Sequence, residues 1–179
     1  GTSVLRECPK ITDVFLMEKI LRELGAETWW EDHDLYLDCS HADGTVIPEY
    51  FSGKMRSSVM LMGAMLGRNG KAQTGYPGGC VIGKRPVDLH IQVLQKLGAR
   101  IVENGNEIQA TCGKLKGAEI IFPKSSVGAT EQGILAAVLA EGKTVLSGCA
   151  REPEITWLCQ YLTGMGAKIE ILENGSICI

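Results

Sequence analysis

The chain has 179 residues, 45% of them hydrophobic, with 18 Lys and Arg against 21 Asp and Glu for a net charge of −3. That length and apolar share suffice for one domain with a real core and room for internal repeats. The charge balance leaves no global basic field for nucleic acid, so an anion site must be a local cluster.

The seven cysteines, at 8, 39, 80, 112, 149, 159 and 178, include no C-x-x-C pair, and their odd number leaves at least one thiol free. A reduced, cytoplasmic chain accounts for this most simply, with Cys159 and Cys178 on apolar patterns that predict burial. The cysteine and histidine spacing offers no clustered zinc ligands. No apolar run approaches the roughly 20 residues of a membrane span, and no cleavable leader is visible, so no membrane association is expected.

In chain order, Thr2 to Cys8 reads as a strand ended by Pro9, followed by a helix capped by Thr12 or Asp13 with Val14, Met17, Ile20, Leu21 and Leu24 at helical spacing. Gly25 stops that helix, and strands Glu27 to Trp30 and Asp34 to Asp38 flank a turn. The same order recurs twice. A helix over 86–97 ends in Leu97-Gly98-Ala99 before strands Arg100 to Val102 and Glu107 to Thr111, and a helix over 153–165 ends in Met165-Gly166-Ala167 before strands Lys168 to Leu172 and Ser176 to Ile179. Each glycine is expected to close its helix. Between these units lie a Met-rich helix over Tyr50 to Arg68, strands Lys116 to Phe122 and Thr144 to Cys149, and an apolar helix over Gly128 to Ala140. Helices apolar on most faces belong in the interior, which predicts three α/β units with buried helices and outer sheets.

The chemistry concentrates in Gly75 to His90, which holds four glycines, two prolines, Cys80 and the Lys84-Arg85 pair ahead of a helix. Glycines permit close backbone approach, and a helix N-terminus offers N–H groups to anions. Neighbouring Lys84 and Arg85 would favour the Cys80 thiolate; the alternative is an incidental loop cysteine. Arg85 can fork onto phosphate or carboxylate, and Asp88 suits the first helical turn, although an exposed Arg and an ordinary cap fit equally well. Lys124-Ser125-Ser126-Val127-Gly128 is a second candidate anion cradle or simply an N-cap. Arg56, among apolar neighbours, calls for an anionic partner, either a ligand or an internal acid. His90 is expected to be a packing or surface residue.

Taken together, Met55-Arg56-Ser57-Ser58, the run Pro77 to His90, Leu115-Lys116-Gly117-Ala118, Ser126 to Thr130 and Ala150 to Glu154 resemble the enolpyruvyl transferase family, most specifically its UDP-N-acetylglucosamine 1-carboxyvinyltransferases. The resemblance runs in order from about residue 4 to the end. It implies an inside-out α/β barrel of three β-α-β-α-β-β units, over about 1–45, 46–115 and 116–179, as one of two domains. The implied reaction moves the enolpyruvyl group of phosphoenolpyruvate to the 3′-hydroxyl of UDP-N-acetylglucosamine during peptidoglycan synthesis, without a cofactor or metal.

By the same resemblance Cys80 is the loop thiol alkylated by fosfomycin, and Arg56 contacts ligand phosphates. Arg85, Pro86, Val87, Asp88 and Leu89, with Lys124, Ser125, Ser126, Val127 and Gly128, hold the uridine diphosphate part. The family's N-terminal Gly-x-Lys-Asn motif and its second domain, with the general base and another arginine, are missing from this sequence, and Tyr76 replaces a leucine. The isolated chain is therefore expected to be inactive or nearly so; the alternative is a non-catalytic nucleotide-sugar-binding module or relic of the family.

Overall fold

The computed structural model describes residues 1–78 and 86–179. A first group of elements comprises β1 (Thr2–Leu5), α1 (Thr12–Glu23), β2 (Glu27–Glu31) and β3 (Asp34–Asp38). A second has α2 (Glu49–Ser52), a 3-10 turn (Arg56–Met60), α3 (Leu61–Asn69), β4 (Lys71–Gly75), α4 (Asp88–Lys96), β5 (Arg100–Asn104) and β6 (Glu107–Thr111). The third has β7 (Glu119–Ile121), α5 (Val127–Ala137), β8 (Val145–Ser147), α6 (Pro153–Gly164), β9 (Glu170–Ile171) and β10 (Ile177–Cys178).

Helices α1, α4 and α6 end alike. Gly25, Gly98 and Gly166 take φ of +93°, +93° and +102°, a region only glycine enters without strain. In each, the glycine N–H reaches the carbonyl three residues back and the following alanine N–H reaches the one five back, as in Ala26 to Leu21, Ala99 to Leu94 and Ala167 to Leu162. These paired bonds satisfy the last carbonyls and turn the chain into a hairpin.

The hairpins then build three sheets, ordered β1-β3-β2, β4-β6-β5 and β7-β8-β10-β9. The strand pairs are antiparallel except β7 with β8; Val46 makes the corresponding parallel bridge to Gln73 on β4. The α/β character expected from the sequence is thus present, with one strand order written three times.

Helix α5 is the most enclosed element, with Ala129, Thr130, Gln132, Gly133, Ile134, Ala136 and Ala137 all buried. Small residues allow that enclosure. A Cβ on Gly63 of α3 would stand 2.9 Å from the Gln132 carbonyl oxygen, and one on Gly133 would stand 3.3 Å from both Leu146 and Val93. Backbone therefore meets backbone on the α3 side, while β8 and α4 close the other. The apolar core is continuous from Ile20 and Leu24 through Met62, Leu66 and Leu94 to Ile134, Leu146 and Ile177.

Several local expectations differ from the structure. The single helix over Tyr50 to Arg68 is three pieces, because Met55 is extended (φ −134°, ψ 113°). The reason is tertiary: Gly78 donates to the Ser52 carbonyl at 2.9 Å, and its Cα lies so close to Gly53 that a side chain would overlap the Gly53 carbonyl. Neither Thr12 nor Asp13 caps α1, whose N-cap is Ile11 with no side-chain bond. Asp88 lies in the first turn of α4 without capping it, and the N-cap there is Val87. Strand β1 stops at Leu5, short of Cys8, and β9 and β10 have two residues each. No helix among the described residues is long and apolar enough to cross a membrane.

Candidate functional site

The helix starts, and not the sheets, bring the expected residues together. Ser126 is the N-cap of α5, its hydroxyl accepting the Ala129 N–H at 3.4 Å, as foreseen for Ser125 or Ser126. Thr130, fully buried, donates to the Ser126 carbonyl at 2.8 Å and accepts the Ala150 N–H at 3.0 Å. One hydroxyl thus joins the start of α5 to the loop that leads into α6. Lys124 and Ser125 stand exposed just ahead of it, and Val127 and Gly128 form its first turn.

The first turn of α4 lies against that of α5. A Cβ on Gly128 would meet the His90 ring at 3.1 Å and the Met60 sulfur at 3.8 Å, so glycine is what lets the two helix starts and the 3-10 turn converge. Arg56 opens that turn, and its guanidinium donates to the Pro86 carbonyl at 3.2 Å. Val87 and Leu89 are buried beneath, while Pro86 and Asp88 face solvent. The structure therefore gathers Arg56, Pro86, Val87, Asp88, Leu89, Ser126, Val127 and Gly128 at one corner. Cys80 and Arg85 lie outside the described residues.

His90, expected to be a packing or surface residue, packs into this corner, and Gln132 beside it escaped the sequence reading. His90 is buried, and its Nδ1 lies within hydrogen-bond distance of the Gln132 side-chain oxygen. Burial pulls the imidazole pKa down, and the nearby Arg56 charge adds to that, against the opposing effects of Gln132 and Asp88. A neutral ring with Nδ1–H donating to Gln132 is the consistent state. The Gln132 amide nitrogen is buried with no hydrogen-bond partner. The 42-residue separation of His90 and Gln132 hides the pairing; the only available hint was two polar residues in otherwise apolar helix patterns.

Two further features border the corner. A groove of about 240 Å³ runs between α4 and β7, lined by Leu89, Gln92, Val93, Lys96, Ile121 and Pro123 among others. Half-buried Glu131, one turn along α5, has its carboxyl pKa raised first by burial and then by the charge of Glu154 at the start of α6. Chemically, the corner combines a guanidinium with two adjoining helix N-termini, whose first N–H groups lack partners within the helix. That arrangement suits a phosphorylated or carboxylated ligand. No group of His, Cys, Asp and Glu suited to a metal ion occurs among the described residues.

The EPSP synthase (3-phosphoshikimate 1-carboxyvinyltransferase) family profile matches residues 1–179. The chain is 48% identical to a UDP-N-acetylglucosamine 1-carboxyvinyltransferase from Wolbachia sp. subsp. Drosophila simulans, over 98% of its own length and 43% of the relative's. It is 44% identical to the protein of that name from Chlorobium limicola, over 95% of this chain and 41% of the relative. It thus spans less than half the length of these relatives. Among solved structures, the enolpyruvyl transferase NikO from Streptomyces tendae superposes with a TM-score of 0.86 at 21% identity, covering 100% of this chain and 42% of the other. An EPSP synthase from Acinetobacter baumannii superposes at 0.78 with 19% identity, covering 100% and 41% respectively.

Proposed function

Because this chain belongs to the EPSP synthase family, we propose that it is one of two domains of a UDP-N-acetylglucosamine 1-carboxyvinyltransferase acting in the cytoplasm in peptidoglycan precursor synthesis. The observation that carries this reading is 48% identity, over nearly the whole chain, to a relative of that name, against 19% to the EPSP synthase structure. On this reading the three sheets stand around interior helices as an inside-out barrel with repeats at about 1–45, 46–115 and 116–179. Its partner domain supplies the general base and a further arginine.

The reaction joins the sugar 3′-hydroxyl oxygen to C2 of phosphoenolpyruvate while C3 gains a proton. Loss of the C3 proton and departure of phosphate then restore the double bond. The tetrahedral intermediate carries both phosphate and carboxylate, so fixed cationic and N–H donors lower the barrier by stabilising charge. In this domain Arg56 meets a ligand phosphate. Arg85 to Leu89, with Lys124 to Gly128, hold the uridine diphosphate part through the two helix starts. Cys80 serves as proton donor or product-release group and is the thiol that the epoxide fosfomycin alkylates. With the general base and a further arginine on the partner domain, the isolated chain lacks the proximity from which most of the rate derives.

Phosphate release by the full-length protein carrying this chain tests the reading. Turnover with phosphoenolpyruvate and UDP-N-acetylglucosamine, lost in Cys80→Ala, is expected; turnover with 3-phosphoshikimate and none with the UDP-sugar would overturn it.

A further inference from the structure

The outer face of the first sheet carries an aromatic and acidic pattern that the second sheet lacks. Strand alternation turns Thr28, Trp30 and Leu35 inward, where Trp30 meets Phe15 of α1 at 5.7 Å between ring centroids and donates to Glu18 at 3.1 Å. The opposite face carries Val4 on β1, Asp34, Tyr36 and Asp38 on β3, and Glu27, Trp29 and Glu31 on β2. Register places Val4, Tyr36 and Trp29 in one row. The Trp29 and Tyr36 rings stack at 5.1 Å and 14°, with Trp29 39% and Val4 38% exposed.

Carboxylates frame that row at both ends. Glu27 pairs directly across from Asp38, and Glu31 directly across from Asp34. Like charges in directly opposed positions destabilise a sheet; Asp34 and Asp38 offset this in part by accepting the Glu7 and Ser40 N–H groups at 3.0 and 2.8 Å, whereas Glu27 and Glu31 on β2 hold no main-chain N–H among the described residues. Against these four carboxylates stands Arg6, bonded to Asp34 at 2.8 Å. The Tyr36 hydroxyl pKa is pushed up by its hydrogen bond with Glu31, then by burial and by the charges of Glu31 and Asp34, which marks the face as electronegative.

The second sheet, with the same strand order, is an internal comparison. Its corresponding rows are Gln73-Gln109-Val102, Lys71-Thr111-Arg100 and Gly75-Glu107-Asn104. They contain no aromatic ring and no opposed acids.

We propose that the outer face of the first sheet docks a cationic, arginine-rich segment of another protein. Charge complementarity selects this occupant. Planar guanidinium groups stack on Trp and Tyr faces and fork onto carboxylates, and Arg6 donates one N–H to Asp34 at one corner of the face.

The test is fluorescence anisotropy of a labelled hexa-arginine peptide titrated with the full-length protein at low and moderate salt. Saturable, salt-weakened binding is expected, tighter than for hexa-lysine and reduced about fivefold or more by Trp29→Ala. Gln73→Ala on the second sheet is expected to leave it unchanged. Glu27→Gln supplies a variant that does not threaten the fold: it relieves the opposition to Asp38, so it should weaken peptide binding without lowering the urea midpoint. Absence of saturable binding, undiminished affinity in Trp29→Ala or Glu27→Gln, or preference for a neutral oligosaccharide over hexa-arginine would overturn the proposal.

Discussion

Replacing Gly63 by alanine sets two effects of known size against each other. In a helix interior alanine is favoured over glycine by up to about 1 kcal/mol. At Gly63, however, the new methyl would stand 2.9 Å from the Gln132 carbonyl oxygen and 3.3 Å from both Cβ and N of Ala136. These neighbours are mostly main chain of α5 and cannot rotate away, so α3 and α5 must separate by roughly half an ångström to reach ordinary contact distances. Overpacking of this kind costs about 1–3 kcal/mol, which set against the propensity gain leaves a net loss of up to about 2 kcal/mol.

Gly164, at the end of α6, is the control, since a Cβ there meets nothing within 4 Å. Gly164→Ala should be neutral or stabilising by up to about 1 kcal/mol. Urea unfolding followed by circular dichroism reads both as midpoint shifts at constant slope. A Gly63→Ala midpoint above that of the parent chain, or equal to that of Gly164→Ala, would refute the argument that main-chain contact sets the α3–α5 spacing.

Other perturbations have equally definite signs. Thr130→Val keeps the shape of a fully buried side chain but strips the Ala150 N–H of its acceptor; a loss of about 1–3 kcal/mol is expected by urea unfolding, and an unchanged midpoint would exclude the bond as a stabilising element. Burial pushes the Glu18 carboxyl up, yet hydrogen bonds from Thr28 and Trp30 and the charge and bond of Arg22 more than offset it, so the net shift is downward. Its contribution is therefore present above the ordinary Glu value of about 4.3 and is lost as pH falls through the lower folded value; Glu18→Gln should remove that part of the acid dependence. His90 has the opposite chemistry with the same trend, because burial depresses its pKa and folding excludes the proton. Stability should decline as pH falls below about 6.5 and level off below the folded value, and His90→Asn should flatten that limb in thermal melts taken from pH 7.5 to 5.

Local chemistry made much of the fold legible. The three Gly-Ala helix ends depend on residues within six positions of one another and the hairpins behind them on pairs no more than eleven apart, and Gly25, Gly98 and Gly166 all adopt the positive φ the helix ends require. Strand β3 at Asp34–Asp38 and β6 at Glu107–Thr111 fall where alternation put them. What could not be read was set by distant contacts. Helical periodicity runs unbroken through Met55, and only the seat of Gly78 on Ser52 and Gly53 explains the interruption.

The same division holds at the site. Ser126 as a cap was visible because a cap is local, whereas Thr12, an equally suitable residue type, lies inside α1 beyond an uncapped Ile11. The approach of His90 to Gly128 needs two helix starts to meet, which no window of sequence contains.

The Thr130 hydroxyl has one proton and gives it to Ser126, while its oxygen holds the Ala150 N–H. Both directions of the bond are thereby committed, and the start of α5 cannot tilt without disturbing a backbone amide twenty positions downstream. Hydrogen exchange at Ala150 then becomes a gauge, native to the chain, of how firmly that helix start is held. It can be read from outside any bound molecule, with no label added to the site.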